Sequence, residues 1–404
     1  MKYEPIVITG MGAVTPVGIG TEAYWNALVS GQSGIEEITQ IDTGSLPVKR
    51  AAEVKEFHPK EFLPTRLTLD LDLFMQYAYV SALEALKESG LDPAGPRVGV
   101  VMGTALGGIS LIGNTQEALA VSGKSAGPRF LVKSMGNIAA AQFAIWHGIK
   151  GPSFTVSTAC SSGGDAITLA SMLLRSGAAD AVVVMAGEAA ICPTLIQSLS
   201  KAGALSKTGE SRPFDKNRNG FVIGEGGGAL ILETESHAKT RNAPVKAVLL
   251  GCANNTDAYN PVSPDPEGIG AAACIRLALE QAGLMPEQVD YINAHGTATQ
   301  MGDIAETKAI RQVFGSHDVL VSSTKGATGH MMGAGGVTEV IACVKALETG
   351  MLPPTLHLTE QDEACDLHLV TPANQSHNVK IAMSNALGFG GQNSCVIVGQ
   401  SNLK

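Results

Sequence analysis

Charge is scarce in this chain, and aromatic rings are scarcer. Charged residues fill 16% of the 404 positions and aromatics 4%. So little charge excludes a disordered, self-repelling polymer. With so few rings, the interior must be built from Ala, Val, Ile and Leu. The formal net charge is −9, with no cluster of Lys and Arg. That excludes a basic nucleic-acid arm and a polybasic membrane segment. An acidic total also weighs against acidic partners, unless a local basic patch overrides it. No apolar run reaches 18 residues, so no membrane span is expected. The seven cysteines form no CxxC pair. An odd number at irregular spacing, in a long chain, predicts neither a disulfide framework nor a zinc or redox site. No Walker sequence is present, and no GxGxxG follows the first strand, which excludes the usual nucleotide cradles. The opening MKYEPIVITGMG lacks a signal-peptide pattern, and the expectation is a cytoplasmic, bacterial-type enzyme.

What the chain has is apolar residues, 45% of it, and 47 glycines. Length alone suggests two or three domains. Short apolar runs read as buried strands at 6–10, 97–103, 153–157, 181–186, 222–232, 245–251, 291–293, 319–322, 380–383 and 394–398. Helical spacing appears at 21–28, 70–90, 164–174 and 268–282, the second closed by a glycine stop signal. Strands alternating with helices predict an α/β fold with its sheets covered on both faces. The polar stretch 233–244 is the best seam, dividing the chain into 1–240 and 241–404. Each part carries a strand that runs into a small-residue loop, GTALGG in one and AHGTAT in the other. Internal duplication and the general likeness of α/β units both account for this.

Three residues stand out chemically. Cys160 lies in TACSSGG, between an apolar strand and a helix. Small neighbours permit a sharp turn and a close substrate, and a helix start favours thiolate. Cys252, Cys274 and Cys343 read instead as buried structural cysteines. His295 in NAHGTAT and His330 in STKGATGH lie in loops of small polar residues after strands, not on apolar helix faces. Either one alone fits a satisfied structural histidine. Together with Cys160 they form a Cys/His/His set. Metal binding is the rival, with Asp303 close to His295, but no HxH, HxxxH or CxxC spacing supports it. Glycines around Phe389 in GFGG suggest a mobile loop whose N–H groups can meet a substrate oxygen.

In order, TACSSG, NAHGTAT, STKGATGH and GFGG resemble the elongating β-ketoacyl-acyl-carrier-protein synthases of type II fatty-acid and polyketide systems. The resemblance runs from VITGMGAVTPVG through SRPFDKNRNGFVIGEGGG to GFGGQNSCVIV, nearly the whole chain. It implies a thiolase-like fold of five αβαβα layers in two pseudo-duplicated halves, and a dimer. It implies Cys160 as nucleophile, His295 and His330 as decarboxylation partners, Lys325 as their electrostatic neighbour and Phe389 as gate and oxyanion donor. Asp303, Glu306 and Glu339 match a supporting network around Lys325. Thr297 and Thr299 match hydroxyls that meet pantetheine, and Leu106 and Lys133 match acyl-pocket positions, the Lys133 stretch lining the pocket of the partner chain. No metal or redox cofactor is implied, because substrates ride on the phosphopantetheine of an acyl carrier protein. A homodimer and a heterodimer with a chain-length factor both fit.

The departures are local. Where relatives carry a basic run, the chain reads RLTLDLD, with only Arg66 basic. An arginine expected near Gly203 is absent, though Lys201 and Lys207 lie nearby. Lys133 stands in a stretch where relatives tend to have proline. These changes leave fatty-acid and polyketide elongation both open. A thiolase using Cys395 and a non-catalytic subunit are the readings from other classes.

Overall fold

The computed structural model describes residues 4–402. The first half runs β1 (Ile6–Thr15), α1 (Leu73–Ser89), β2 (Val98–Gly103), α2 (Asn137–His147), β3 (Ser153–Val156), α3 (Ser162–Arg175), β4 (Ala181–Glu188) and β5 (Gly226–Thr234). The second runs β6 (Ala247–Thr256), α4 (Ile269–Ala282), β7 (Tyr291–Asn293), α5 (Gln300–Phe314), β8 (Leu320–Ser322), α6 (Gly335–Thr349), β9 (Ile381–Gly388) and β10 (Gln392–Gln400). The continuous apolar runs of β2 and β4 are buried at every position, as strands covered on both faces must be.

The strand order repeats. In the first half it is β3-β2-β4-β5-β1, and in the second β8-β7-β9-β10-β6. The directions repeat too. β2 pairs parallel with β3 and β4, as β7 does with β8 and β9. β5 is antiparallel to β4 and β1, as β10 is to β9 and β6. The halves join where Ile6, Val7 and Ile8 of β1 pair antiparallel with β6. Duplicated topology is therefore explicit in the pairing, where the sequence alone left it open.

Helix packing gives five layers. α1 covers β1, β4 and β5 on one outer face, and α4 covers β6 and β10 on the other. α3 and α6 pack on each other between the halves, α3 touching β2 and β4 as well as β6 and β10. Here the small residues after Cys160 find a second explanation. A Cβ on Gly336 would sit 2.6 Å from the Gly164 backbone nitrogen, and one on Gly163 would sit 2.9 Å from Gly333 O. The glycines let two helices touch backbone to backbone, besides any room they leave for substrate.

Some boundaries moved. The helix expected at 70–90 starts at Leu73, preceded by a separate short helix, Thr65–Asp70. Extended backbone at Leu71 and Asp72 breaks it before α1 starts, and Gly90, left-handed at φ 64°, ends α1. The strand expected at 222–232 starts only at Gly226. Its first residues leave the sheet to bridge Ile223 to His330. The loop expected around GFGG shrinks to a tight hairpin turn between β9 and β10, with Gly390 and Gly391 at φ 87° and 72°.

Candidate active site

Cys160 sits in the turn between β3 and α3, and His330 in the corresponding but longer connection between β8 and α6, just after the short helix Lys325–Thr328. His295 follows β7 directly. All three thus stand at the carboxyl ends of parallel strands, where open α/β sheets place ligands. Ala159, just before the cysteine, is forced to φ 52°, a strained conformation for alanine.

His330 Nε2 lies 3.0 Å from Cys160 Sγ. The His295 ring meets that of His330 nearly at right angles, with centroids 5.2 Å apart. Phe221 backs His330 edge to face, its centroid also 5.2 Å away. The His330 backbone is pinned as well: its N–H donates to Val222 O at 2.7 Å and its carbonyl accepts from the Gly224 N–H at 2.9 Å. All three side chains are buried. Neither Nδ1 atom has a hydrogen-bond partner among the described residues, so neither ring is locked in one tautomer.

The supporting residues divide into two groups. Lys325, buried, forms an ion pair with buried Glu339. Its backbone N–H donates to Ser323 Oγ at 3.2 Å, and that hydroxyl donates to Gly296 O at 2.7 Å. Glu306 holds the His295 loop, accepting from the N–H groups of His295 and Gly296, both at 2.8 Å. Asp303 does not join Lys325. It accepts from the N–H groups of Phe214 and Ala298, at 2.8 and 3.1 Å, and faces Arg218 at 3.5 Å. The single network expected around Lys325 is therefore two.

The electrostatics run one way. Burial, then the Lys325 charge, holds both imidazoles well below the ordinary histidine value, with His330 adding to the effect on His295. Both are neutral at neutral pH. Burial also pushes the Cys160 thiol up to about 12, against the pull of Lys325 and of the Phe389 N–H. The sequence expectation of a thiolate favoured by the helix start is thus overridden by desolvation. The resting pair is a thiol beside a neutral imidazole.

The remaining expected residues lie nearby or further off. Phe389 directs its backbone N–H to the Cys160 sulfur while its ring is 42% exposed. The Thr297 and Thr299 hydroxyls are 3.1 Å apart, at the start of α5. Leu106 is 36% exposed. Lys133 lies half-buried in the short helix Phe130–Ser134, where its charge acts on Asp72. Sequence reasoning passed over Glu188, a buried carboxylate at the end of β4, and Phe221. For Glu188 a signal existed: one acid closing the apolar run AVVVMAGE. For Phe221 there was none.

The sulfur and ring nitrogens of Cys160, His295 and His330 lie within 4.8 Å of one another, a spacing that also suits a metal's ligands. No carboxylate of the described residues joins the trio. Lys325 already sets a positive charge close to both rings, which disfavours a cation. What the geometry suits is a sulfur nucleophile flanked by neutral N–H donors.

Comparison with known proteins agrees with that chemistry. The chain is 39% identical over 409 residues to 3-oxoacyl-[acyl-carrier-protein] synthase 2 of Coxiella burnetii, covering 98% of this chain and 99% of that one. Among solved structures, the ishigamide ketosynthase/chain length factor superposes with a TM-score of 0.93 at 32% identity, over 99% of this chain and 100% of that one. A type II polyketide synthase ketosynthase, solved with its acyl-carrier protein, superposes at 0.88 and 30% identity, over 99% and 100% of the two chains. The β-ketoacyl synthase N-terminal domain matches residues 3–238 and the C-terminal domain residues 246–359. With one domain around the cysteine and the other around both histidines, the chain belongs to the β-ketoacyl synthase family, an acyltransferase family.

Proposed function

We propose that the chain elongates a carrier-borne acyl group by decarboxylative condensation with a malonyl-carrier, using Cys160 as the covalent anchor. The approach of His330 Nε2 to Cys160 Sγ carries this reading. Sγ attacks the acyl thioester, and its proton passes to His330 and on to the departing pantetheine thiol. The bond from the acyl carbon to Sγ forms as the bond to the carrier sulfur breaks. The N–H groups of Cys160 and Phe389 face the tetrahedral oxyanion. Once the thiol is consumed, His330 Nε2 faces no proton donor, and its N–H tautomer joins His295. The malonyl group then loses CO₂, and the electron pair of the broken bond becomes an enolate whose oxygen accepts from both rings. The enolate carbon attacks the Cys160 thioester, the new carbon–carbon bond forms, and the sulfur leaves.

On this reading the half 1–240 supplies the nucleophile and the half 241–404 supplies both imidazoles. Burial and the Lys325 charge hold the rings neutral, Glu339 pairs with Lys325, and Glu306 fixes the His295 loop. Asp303 positions the Thr297–Thr299 turn, whose hydroxyls meet the pantetheine arm. Leu106 serves the acyl pocket of its own chain and Lys133 that of the partner chain, and Phe389 gates the thiol. The reaction draws on carrier-borne thioesters and side chains alone, and its setting is the cytoplasm. The test is to incubate the protein with malonyl-carrier and a panel of acyl-carriers and to weigh the products. A product two carbons longer, without the malonyl carboxylate, is expected. One that keeps that carboxylate would overturn the reading.

The pathway has two versions. Relatives named as 3-oxoacyl synthases favour fatty-acid elongation. The close superposition on a ketosynthase/chain length factor favours a specialised polyketide or polyene role as one of two unlike chains. Either version needs a second chain. Among the described residues the edge strand β3 is unpaired on its outer side, and Phe154 on it and Leu131, Ile145 and Trp146 on neighbouring segments are exposed. Covering such a face by continuing the sheet removes the open edge.

A further inference from the structure

The deepest unexplained charge in the first half is Glu188. It closes β4 and is fully buried, yet no cation pairs with it among the described residues. Its carboxylate is held by backbone N–H groups instead. It accepts from Ala105 at 2.8 Å and from Leu106 at 3.2 Å, both in the loop after β2, and the Thr104 hydroxyl stands 3.4 Å away. It also accepts from Gly333 at 3.2 Å, in the turn between His330 and α6. One side chain therefore ties a loop of the first half to the turn of the second half that bears a candidate catalytic ring.

Both tied segments border Cys160. Ser162 Oγ, at the start of α3, lies 3.3 Å from Thr104 O, and Ser157 Oγ, in the cysteine turn, lies 3.3 Å from Ala105 O. Ala105 and Met332 pack in the apolar cluster that contains Cys160, Ile191 and Leu199. Met332 is strained at φ 47°. The contact leaves no slack, because a Cβ on Gly333 would lie 2.5 Å from the Ala105 nitrogen and 2.9 Å from Glu188 Oε2. Burial lifts the carboxyl to about 7, while the three backbone donors and Thr104 pull it down. Its charge in turn raises the Cys160 thiol, alongside Glu339 and against Lys325.

We propose that Glu188 is a positioning residue: a carboxyl clamp that sets the apolar wall beside Cys160 and the turn after His330 in one register, and so governs which acyl chains load. The proposal rests on the condensing-enzyme reading. Losing the clamp lets Ala105 and Met332 shift, which changes the space an acyl chain meets while leaving His295 and its Glu306 support alone.

The test uses Glu188→Gln and the milder Thr104→Val in the full chain. Three readouts are compared with wild type: Cys160 acylation across short, medium and long acyl-carriers, malonyl-carrier decarboxylation, and the pH midpoint of iodoacetamide alkylation of Cys160. The expected result is an altered chain-length ranking, with acylation of the preferred chain down about tenfold and decarboxylation down less than threefold. The alkylation midpoint should move to lower pH in Glu188→Gln, because a negative neighbour is gone, with His295, His330, Lys325 and Glu339 unchanged. Thr104→Val should shift the ranking the same way with a smaller effect, and it decides the matter if Glu188→Gln does not fold. An unchanged ranking with an unchanged midpoint would overturn the proposal, as would equal loss of both half-reactions accompanied by a lowered melting temperature. A wild-type protein that loads no acyl chain at all would instead sink the condensing-enzyme reading.

Discussion

The rings of His295 and His330 stand edge to face, 85° apart in plane, although one follows β7 and the other follows β8. This crossing lets two neutral imidazoles present N–H groups to one point without sharing a proton. Only His330 hydrogen-bonds the sulfur, so on the proposed mechanism the two rings have different duties.

Replacing either ring should therefore divide the half-reactions. His295→Ala is expected to slow malonyl decarboxylation roughly 10²–10³-fold, the loss of one oxyanion-type donor, with a smaller effect on acyl transfer. His330→Ala should slow both. Single-turnover assays of each step check this, and equal losses in His295→Ala would refute the division.

Cys160→Ala should abolish the covalent acyl adduct and lower overall turnover by roughly a thousandfold or more. Intact-mass measurement after mixing with acyl-carrier is the check. An adduct that persists would point to another nucleophile.

Lys325→Met removes one member of a pair whose side chains are 2% and 4% exposed. Glu339 would be left buried and unpaired, a loss of about 3–5 kcal/mol. Replacing both, as Lys325→Met with Glu339→Leu, should recover much of that stability but not the activity. Denaturant titration of the three proteins measures the first point.

The depressed imidazoles carry a pH signature. Below the ordinary value near 6.5, the unfolded chain takes up protons at His295 and His330 that the folded chain refuses. Their contribution to stability is complete above that pH and erodes as pH falls, by up to roughly 1.4 kcal/mol per unit for each ring. The carboxyls of Glu188, Glu225 and Asp303, raised to about 7, act in the opposite direction. The difference between wild type and His295→Asn isolates one ring: melting temperature should fall less steeply from pH 7 to 5.5 in the variant. Decarboxylation itself should stay flat through pH 6.5, and in Lys325→Met its acid limb should move to higher pH.

The exposed apolar face predicts association. Sedimentation should give a species of twice 41.6 kDa, and Phe154→Asp should shift it toward the single chain. A wild-type protein that stays single on its own and pairs only with a cysteine-less relative would favour the heterodimer.

Much of this was legible in the sequence, for identifiable reasons. The run at 97–103 reads as a buried strand because every residue of β2 is apolar or small. Cys160, His295 and His330 stood out because each lies in a loop of small residues after a strand. The helices α5 and α6 escaped notice. α6 is buried from Gly335 to Leu347 and has no polar face to set a period, and α5 has buried acids, Asp303 and Glu306, on its inner side. The raised thiol could not be read from Cys160's neighbours, because desolvation comes from residues far off in sequence. The contact of Glu188 with Gly333 spans 145 positions and leaves no periodic trace.

The repeated strand order has a consequence for descent. Two copies of one unit stand face to face, and the corresponding turn of each has been given a different tool, a sulfur in one and an imidazole in the other. Neither copy is a spare. On the proposed mechanism, a gene fragment encoding either alone would inherit a sheet and half a reaction, so the two would have to stay fused or travel as a pair.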